Sequence, residues 1–396
     1  MRPPRDLNIL LLLLWPLAFA NPISPNQIPL TAPSSPSAHH HHQQQTISPA
    51  LFAEFEELSR IVDITYCIGT PSPGISEPFI CPSHCSAFPS FQLVQSWNTG
   101  PLLSDSCGYI ALSHPPAEKR IIVAFRGTYS ITNALVDLST GRQEYVPYPP
   151  SDGSVAGILR RVEQEEEEKG DSDGDGRKKP VCKDCWAHAG FLASWRQAAG
   201  IVVPVVEALV GKFGENGYKL ELVGHSLGGA VAALAGLEFK ERGWDCRVTT
   251  FGEPRVGNAN LSHYINERFP HPLYRRITHK SDPVPLLPFS KWGFWQHETE
   301  YYIDKLDLPQ TPEDVRICDG DEDPECAASG SVNVVQLLWS HRDYFNRLGL
   351  CVPDGWRRYL DGAWGPWHLP WPRSKEKQKE KHKEHEKVAV EINEQS

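Results

Sequence analysis

Val223-Gly224-His225-Ser226-Leu227-Gly228-Gly229 sets a serine between glycines where an apolar segment gives way to an alanine-rich one. The residues leading in, Lys219 to Val223, read as a buried strand, and Ala230 to Lys240 has the periodicity of a packed helix. A strand that turns directly into a helix strains the serine backbone, exposes its hydroxyl, and needs glycine wherever a Cβ would strike neighbouring chain. The run is read as a nucleophile elbow, which predicts an α/β sheet with the serine at a strand's carboxyl end. At this point an ordinary Gly-rich turn that holds a serine stays open as the alternative.

A serine hydroxyl is a weak nucleophile at neutral pH, so the elbow demands a base and an acid to orient it. Asp282, within Thr278-His279-Lys280-Ser281-Asp282-Pro283-Val284-Pro285, follows a strand-like stretch from Leu273 to Ile277. His341, within Ser340-His341-Arg342-Asp343-Tyr344-Phe345, falls near the end of the globular region and can carry the proton. The chain order serine, acid, histidine is that of the α/β-hydrolases. Two donors must also meet the developing oxyanion. Leu227 supplies one backbone N–H, and the strand Arg120 to Phe125 runs into Arg126-Gly127-Thr128, where Thr128 offers an N–H and a hydroxyl. A plain turn is the other reading of Arg126-Gly127-Thr128.

Together these segments resemble the fungal class 3 lipase family, the secreted triacylglycerol lipases and related feruloyl esterases, over about Leu51 to Cys351. Its markers are Phe125 to Thr128, His188 to Trp195, the elbow, Phe251 to Asn258, Asp282 to Pro285, and His341 to Phe345. The resemblance implies an α/β-hydrolase fold in a single domain, with a predominantly parallel central sheet flanked by helices. It matches Ser226, Asp282 and His341 to the catalytic triad, Thr128 and Leu227 to the oxyanion hole, and His188 and Arg255 to structural positions. It aligns Ser130 to Leu138 with the family's lid, where Ile131, Leu135 and Leu138 form one apolar stripe. Ala134 stands where the lipases usually carry tryptophan, and Asp137 corresponds to an aspartate that orients the oxyanion hydroxyl. It also implies three disulfides, Cys67–Cys351, Cys81–Cys85 and Cys182–Cys185. Closing the long Cys67–Cys351 loop stabilises by roughly 3 to 5 kcal/mol in the chain-entropy model. Cys318–Cys326 is a guess from proximity, and Cys107 and Cys246 are left over with their pairing open.

Targeting and composition fit an extracellular, oxidising setting. Met1 to Arg5 is basic, Ile9 to Phe19 is apolar but too short to span a bilayer, and Ala18-Phe19-Ala20 predicts signal cleavage after Ala20. No other segment is read as reaching transmembrane length. Residues 21–48, rich in Pro, Ser and His, read as a disordered arm or propeptide, with His39 to His42 taken as low complexity. The hydrolase domain is expected over residues 49–371, opening with a helix whose Leu51, Phe55, Leu58 and Val62 share a face. An acidic insert from about Tyr145 to Pro180 imitates the start of an EF-hand loop, but Cys182 stands where the closing glutamate belongs. Trp356, Trp364, Trp367 and Trp371 are read as packing onto the domain, and residues 372–396 as a charged disordered tail. Asn260-Leu261-Ser262 is a glycosylation acceptor. The formal net charge of -10 argues against nucleic acid.

The expectation is a secreted, monomeric serine hydrolase that cleaves acylglycerol or another ester at a lipid–water interface, without cofactor or metal. A feruloyl or other soluble-ester esterase is one alternative, favoured by Ala134 in the lid. A catalytically inert hydrolase-fold binding module is another.

Overall fold

Two neighbouring segments whose side chains enter two cores in alternation settle which sides of the sheet are covered. In Cys107–Ser113 and Arg120–Phe125 every residue is buried. Ile110, Leu112, Ile121, Val123 and Phe125 enter one core, while Tyr109, Ala111, Ile122 and Ala124 enter another. Side chains on a strand alternate faces, so both faces of this sheet are roofed.

The computed structural model describes residues 46–69, 72–100, 105–128, 141–148, 182–318, 320, 323–329, 337–353 and 356. Its strands of three or more residues are β1 (Phe91–Asn98), β2 (Cys107–Ser113), β3 (Arg120–Phe125), β4 (Arg142–Glu144), β5 (Trp186–His188), β6 (Lys219–His225), β7 (Cys246–Phe251), β8 (Tyr274–His279), β9 (Glu300–Ile303) and β10 (Val315–Ile317). Its helices are α1 (Pro49–Ile64), α2 (Ala189–Phe213), α3 (Leu227–Glu241), α4 (Ala259–Arg268) and the single turn α5 (Leu337–Ser340). Eight strands form the main sheet in the order β1-β2-β3-β6-β7-β8-β9-β10. From β3 to β9 the pairs are parallel, and antiparallel strands close both edges. This is an α/β-hydrolase sheet, mostly parallel and flanked by helices.

Helix α1 starts on Ser48, whose hydroxyl accepts the Leu51 amide, and it puts Phe55, Leu58, Ile61 and Val62 into the second core. Helices α2 to α4 cover the other face. Helix α3 is apolar nearly all round and buried along most of its length, as a helix wedged between sheet and neighbouring helices must be.

Several expectations shift. Thr46 already bridges Arg316 and Ile47 is buried, so the folded body begins ahead of residue 49. Tyr145 is buried and donates its amide to the Cys185 carbonyl, so it belongs to the core and not to the acidic insert. Helix α2 is long and apolar enough to cross a membrane by length and composition, contrary to the reading that nothing beyond the leader reaches that length. It lays Phe191, Leu192, Trp195, Val202 and Val206 into the core, which accounts for its apolarity. Trp356 is 64% exposed rather than packed. Trp364, Trp367 and Trp371, the lid residues Ile131, Ala134, Leu135, Asp137 and Leu138, and most of the insert lie outside the described residues.

Candidate active site

The elbow forms because its glycines let three backbones touch. A Cβ on Gly224 would overlap the Gly228 carbonyl, and one on Gly228 would overlap the Phe125 carbonyl at the end of β3. Ser226 follows β6 and caps α3 with φ 57° and ψ -129°, a conformation costing an L-residue about 1 to 3 kcal/mol. Its amide donates to the Phe251 carbonyl at 2.9 Å, which holds the strained turn against β7. A Cβ on Gly127 would lie 2.9 Å from Ser226 Cβ, so the end of β3, with Thr128 next in chain, abuts the serine. Leu227 is the first residue of α3, and first-turn amides have no intrahelical acceptor.

Asp282 and His341, 59 residues apart, meet over this turn. His341 Nδ1 lies 2.8 Å from Asp282 Oδ2, and neither side chain is exposed. Asp282 Oδ1 accepts the Val284 amide at 2.9 Å, and its Oδ2 also accepts the Tyr344 hydroxyl at 2.5 Å. Burial alone would raise the acid's pKa, but the imidazole, these two donors and the hydrogen bond to His341 outweigh it, leaving the value below the usual carboxylate range. Gly252, at φ +58°, makes the meeting possible, since a Cβ there would lie 2.9 Å from Asp282 Oδ2, His341 Cε1 and Tyr344 Oη.

His225 ties His341 to the elbow. Its ring lies 4.7 Å from that of His341, its Nε2 is 2.8 Å from the His341 carbonyl, and its Nδ1 is 2.5 Å from Tyr66 Oη. A carbonyl only accepts, so Nε2 carries the hydrogen and Nδ1 accepts from the tyrosine. Burial, then the neighbouring His341, push the His225 pKa well down, so the ring is neutral as that pattern requires.

His341 Nε2 and Thr128 Oγ1 are buried and make no hydrogen bond among the described residues, so the Ser226–His341 bond is not made in this state. Catalytic hydrogen bonds are commonly long without substrate. Ser226, Asp282, His341, Thr128 and Leu227 thus gather at the carboxyl ends of β3, β6, β7 and β8. Tyr344 sits inside a motif already singled out, whereas nothing in the sequence pointed to Tyr66.

The remaining positions fall as follows. Disulfides join Cys67 to Cys351, Cys81 to Cys85, Cys182 to Cys185 and Cys318 to Cys326, at 2.02 to 2.06 Å. Cys107 and Cys246 are separate buried thiols. Cys318, Asp323 and Cys326 cluster as metal ligands do, but both sulfurs are spent in the disulfide. Arg255 donates to the Leu286 and Pro288 carbonyls and so fixes the loop after Asp282. Asn260 is exposed at the start of α4, its Nδ2 donating to the Lys183 carbonyl at 3.1 Å.

Residues 122–292 match the family described as lipase (class 3). Lipase A of Sodiomyces alcalophilus is 43% identical over 409 residues, covering 87% of this chain and 91% of its own. This chain belongs to the class 3 lipase family. The lipase is similar, too, to secreted mono- and diacylglycerol lipase 2 of Gibberella zeae, at 43% identity over 392 residues, 86% of this chain and 90% of that protein. Its fold is shared with the crystal structure of the Lip2 lipase from Yarrowia lipolytica, with TM-score 0.64 and 25% identity over 78% of this lipase and 98% of that chain. It is a secreted class 3 lipase.

Proposed function

We propose that this lipase hydrolyses acylglycerols through an acyl-enzyme on Ser226. Ser226 Oγ attacks the ester carbonyl while His341 Nε2 takes its proton, and Asp282 holds Nδ1–H and stabilises the imidazolium. The tetrahedral oxyanion is met by the Leu227 amide and by the amide and hydroxyl of Thr128. Collapse expels the glycerol oxygen, which takes the proton from His341. Water, deprotonated by the same nitrogen, then releases the fatty acid and restores the serine. The observation that carries the reading is the pairing of His341 Nδ1 with buried Asp282, which leaves Nε2 buried and, among the described residues, unbonded.

The same reading assigns residues 1–20 to a cleaved leader, 21 onward to an arm ending before Thr46, and the body to 46–371, acting as a monomer. Triacylglycerol is the general substrate. Partial acylglycerols are the second reading, favoured by the name of the Gibberella zeae relative.

Rates on emulsified triolein, diolein and soluble methyl ferulate test the substrate class, and organophosphonate labelling tests the nucleophile. The proposal expects labelling lost in Ser226→Ala and glyceride turnover well above ferulate turnover. A steady preference for the ferulate ester would make the chain an esterase. No labelling of a folded sample would make it an inert module.

A further inference from the structure

The link from β8 to β9 joins parallel strands without a helix of more than one turn, and it carries Asp282 at its start. Farther along it, Phe289, Trp292 and Trp295 are each 37 to 38% exposed, three large aromatic side chains within seven residues. Loop slackness does not explain them. Phe294, between them, is buried edge-on against Trp186 at 4.8 Å. Arg142 lies 4.7 Å over the same indole and donates to the Trp292 carbonyl. The Gly293 amide closes onto the Ser290 carbonyl at 2.7 Å, and the Trp295 amide donates to Gly257 at 2.8 Å. Arg255 holds the Leu286 and Pro288 carbonyls just upstream. The rings of Phe289 and Trp292 meet edge to face at 5.0 Å, and Lys291 Nζ lies 5.0 Å and 6.0 Å from them.

This is a rigid apolar surface with a cation set in it, on a chain of net charge -10, fastened to the loops at the catalytic edge of the sheet. Among the described residues no carboxylate forms an ion pair with Lys291. Aromatic rings with an amphipathic outline settle at a lipid–water boundary, and a lysine there favours anionic lipid. Fatty-acid carboxylate is the anion that acylglycerol hydrolysis leaves at such a boundary. We propose that Phe289, Lys291 and Trp292, with Trp295 beside them, are a docking surface for the acylglycerol–water interface. The rings enter the acyl boundary and the lysine meets ionised product. The inference rests on the acylglycerol reading above and adds a contact surface on the β8 to β9 link.

The test uses the full chain and phosphatidylcholine vesicles containing diolein, with and without oleic acid. Phe289→Ser/Trp292→Ser weakens vesicle binding by about tenfold or more, while turnover of soluble p-nitrophenyl acetate stays within about twofold. Lys291→Glu weakens binding to the oleate-containing vesicles only, and as a surface change it keeps the test intact where the double variant fails to fold. Unchanged vesicle binding in the double variant, or equal response of Lys291→Glu to both vesicles, overturns the surface. Wild-type protein that binds vesicles without cleaving any ester would instead sink the enzymatic reading.

Discussion

Asp282 spends both oxygens on donors, with the Val284 amide on one and His341 plus Tyr344 on the other. A carboxylate so held fixes the imidazole tautomer, which an amide of the same shape cannot do. Asp282→Asn is therefore expected to lower kcat by about 10⁴ while circular dichroism stays unchanged. A fall of less than about tenfold on a soluble ester would show that the acid is not needed. Thr128 presents a different case, because its buried hydroxyl has no partner among the described residues and its backbone amide remains whatever the side chain. Thr128→Val should cost about 10² to 10³ in kcat, and Thr128→Ser should keep most of the rate. Equal kcat in Val and Ser variants would leave the oxyanion to backbone amides alone.

At the scale of elements, the contact of β3, β6 and α3 depends on the absence of two side chains. Helix propensity says that Gly→Ala within a helix stabilises by about 1 kcal/mol. Gly228→Ala is expected to do the reverse, losing about 3 kcal/mol or more, because its Cβ meets the backbone carbonyl of Phe125, which moves only if β3 moves. Gly211→Ala in α2, with open space around it, should follow propensity and raise the melting temperature slightly. Thermal unfolding of the pair checks both signs, and a stabilised Gly228→Ala would mean that β3 and α3 are not in contact. The same elements show what the sequence could disclose. The elbow, the strand Arg120 to Phe125 and the face of α1 were readable because each signal is local and periodic. The bond from Tyr66 to His225 spans 159 positions and leaves no local trace. Helix α2 concealed its membrane-like length because a charged Arg196 and a proline, Pro204, interrupt a run whose buried face is still continuous. The β8 to β9 link carries no periodic signal in its sequence, and the packing of Phe294 against Trp186 shows it as a rigid platform.

Across the whole molecule, the carboxyl edge of the sheet is built around uncharged histidines, and this ties stability to pH. His225 is held neutral by burial and by His341, with its pKa pushed well down. His279 is buried too, and its pKa falls to about 4, with burial first among the causes. Asp282 and Asp307 pull the other way, as do the Lys305 and Ser340 carbonyls, which lie toward the ring without reaching good hydrogen-bond geometry. Between about 4 and the ordinary histidine value of 6.5, the unfolded chain binds a proton that folded His279 refuses. Stability is therefore complete above 6.5 and drains away as pH falls through that window, by up to about 3 kcal/mol from His279 alone. Asp282, whose folded value is lowered, contributes fully above the ordinary carboxylate range and adds its own loss only in stronger acid. The expected melting temperature is level above pH about 7 and drops by roughly 5 to 10 °C toward pH 4. His279→Phe, which removes the titrating ring but keeps an aromatic there, should flatten part of that slope. A melting temperature that held constant or rose from pH 7 to 4.5 would mean that these rings accept protons in the fold, and the Tyr66 hydroxyl would then accept from His225 Nδ1 instead of donating to it.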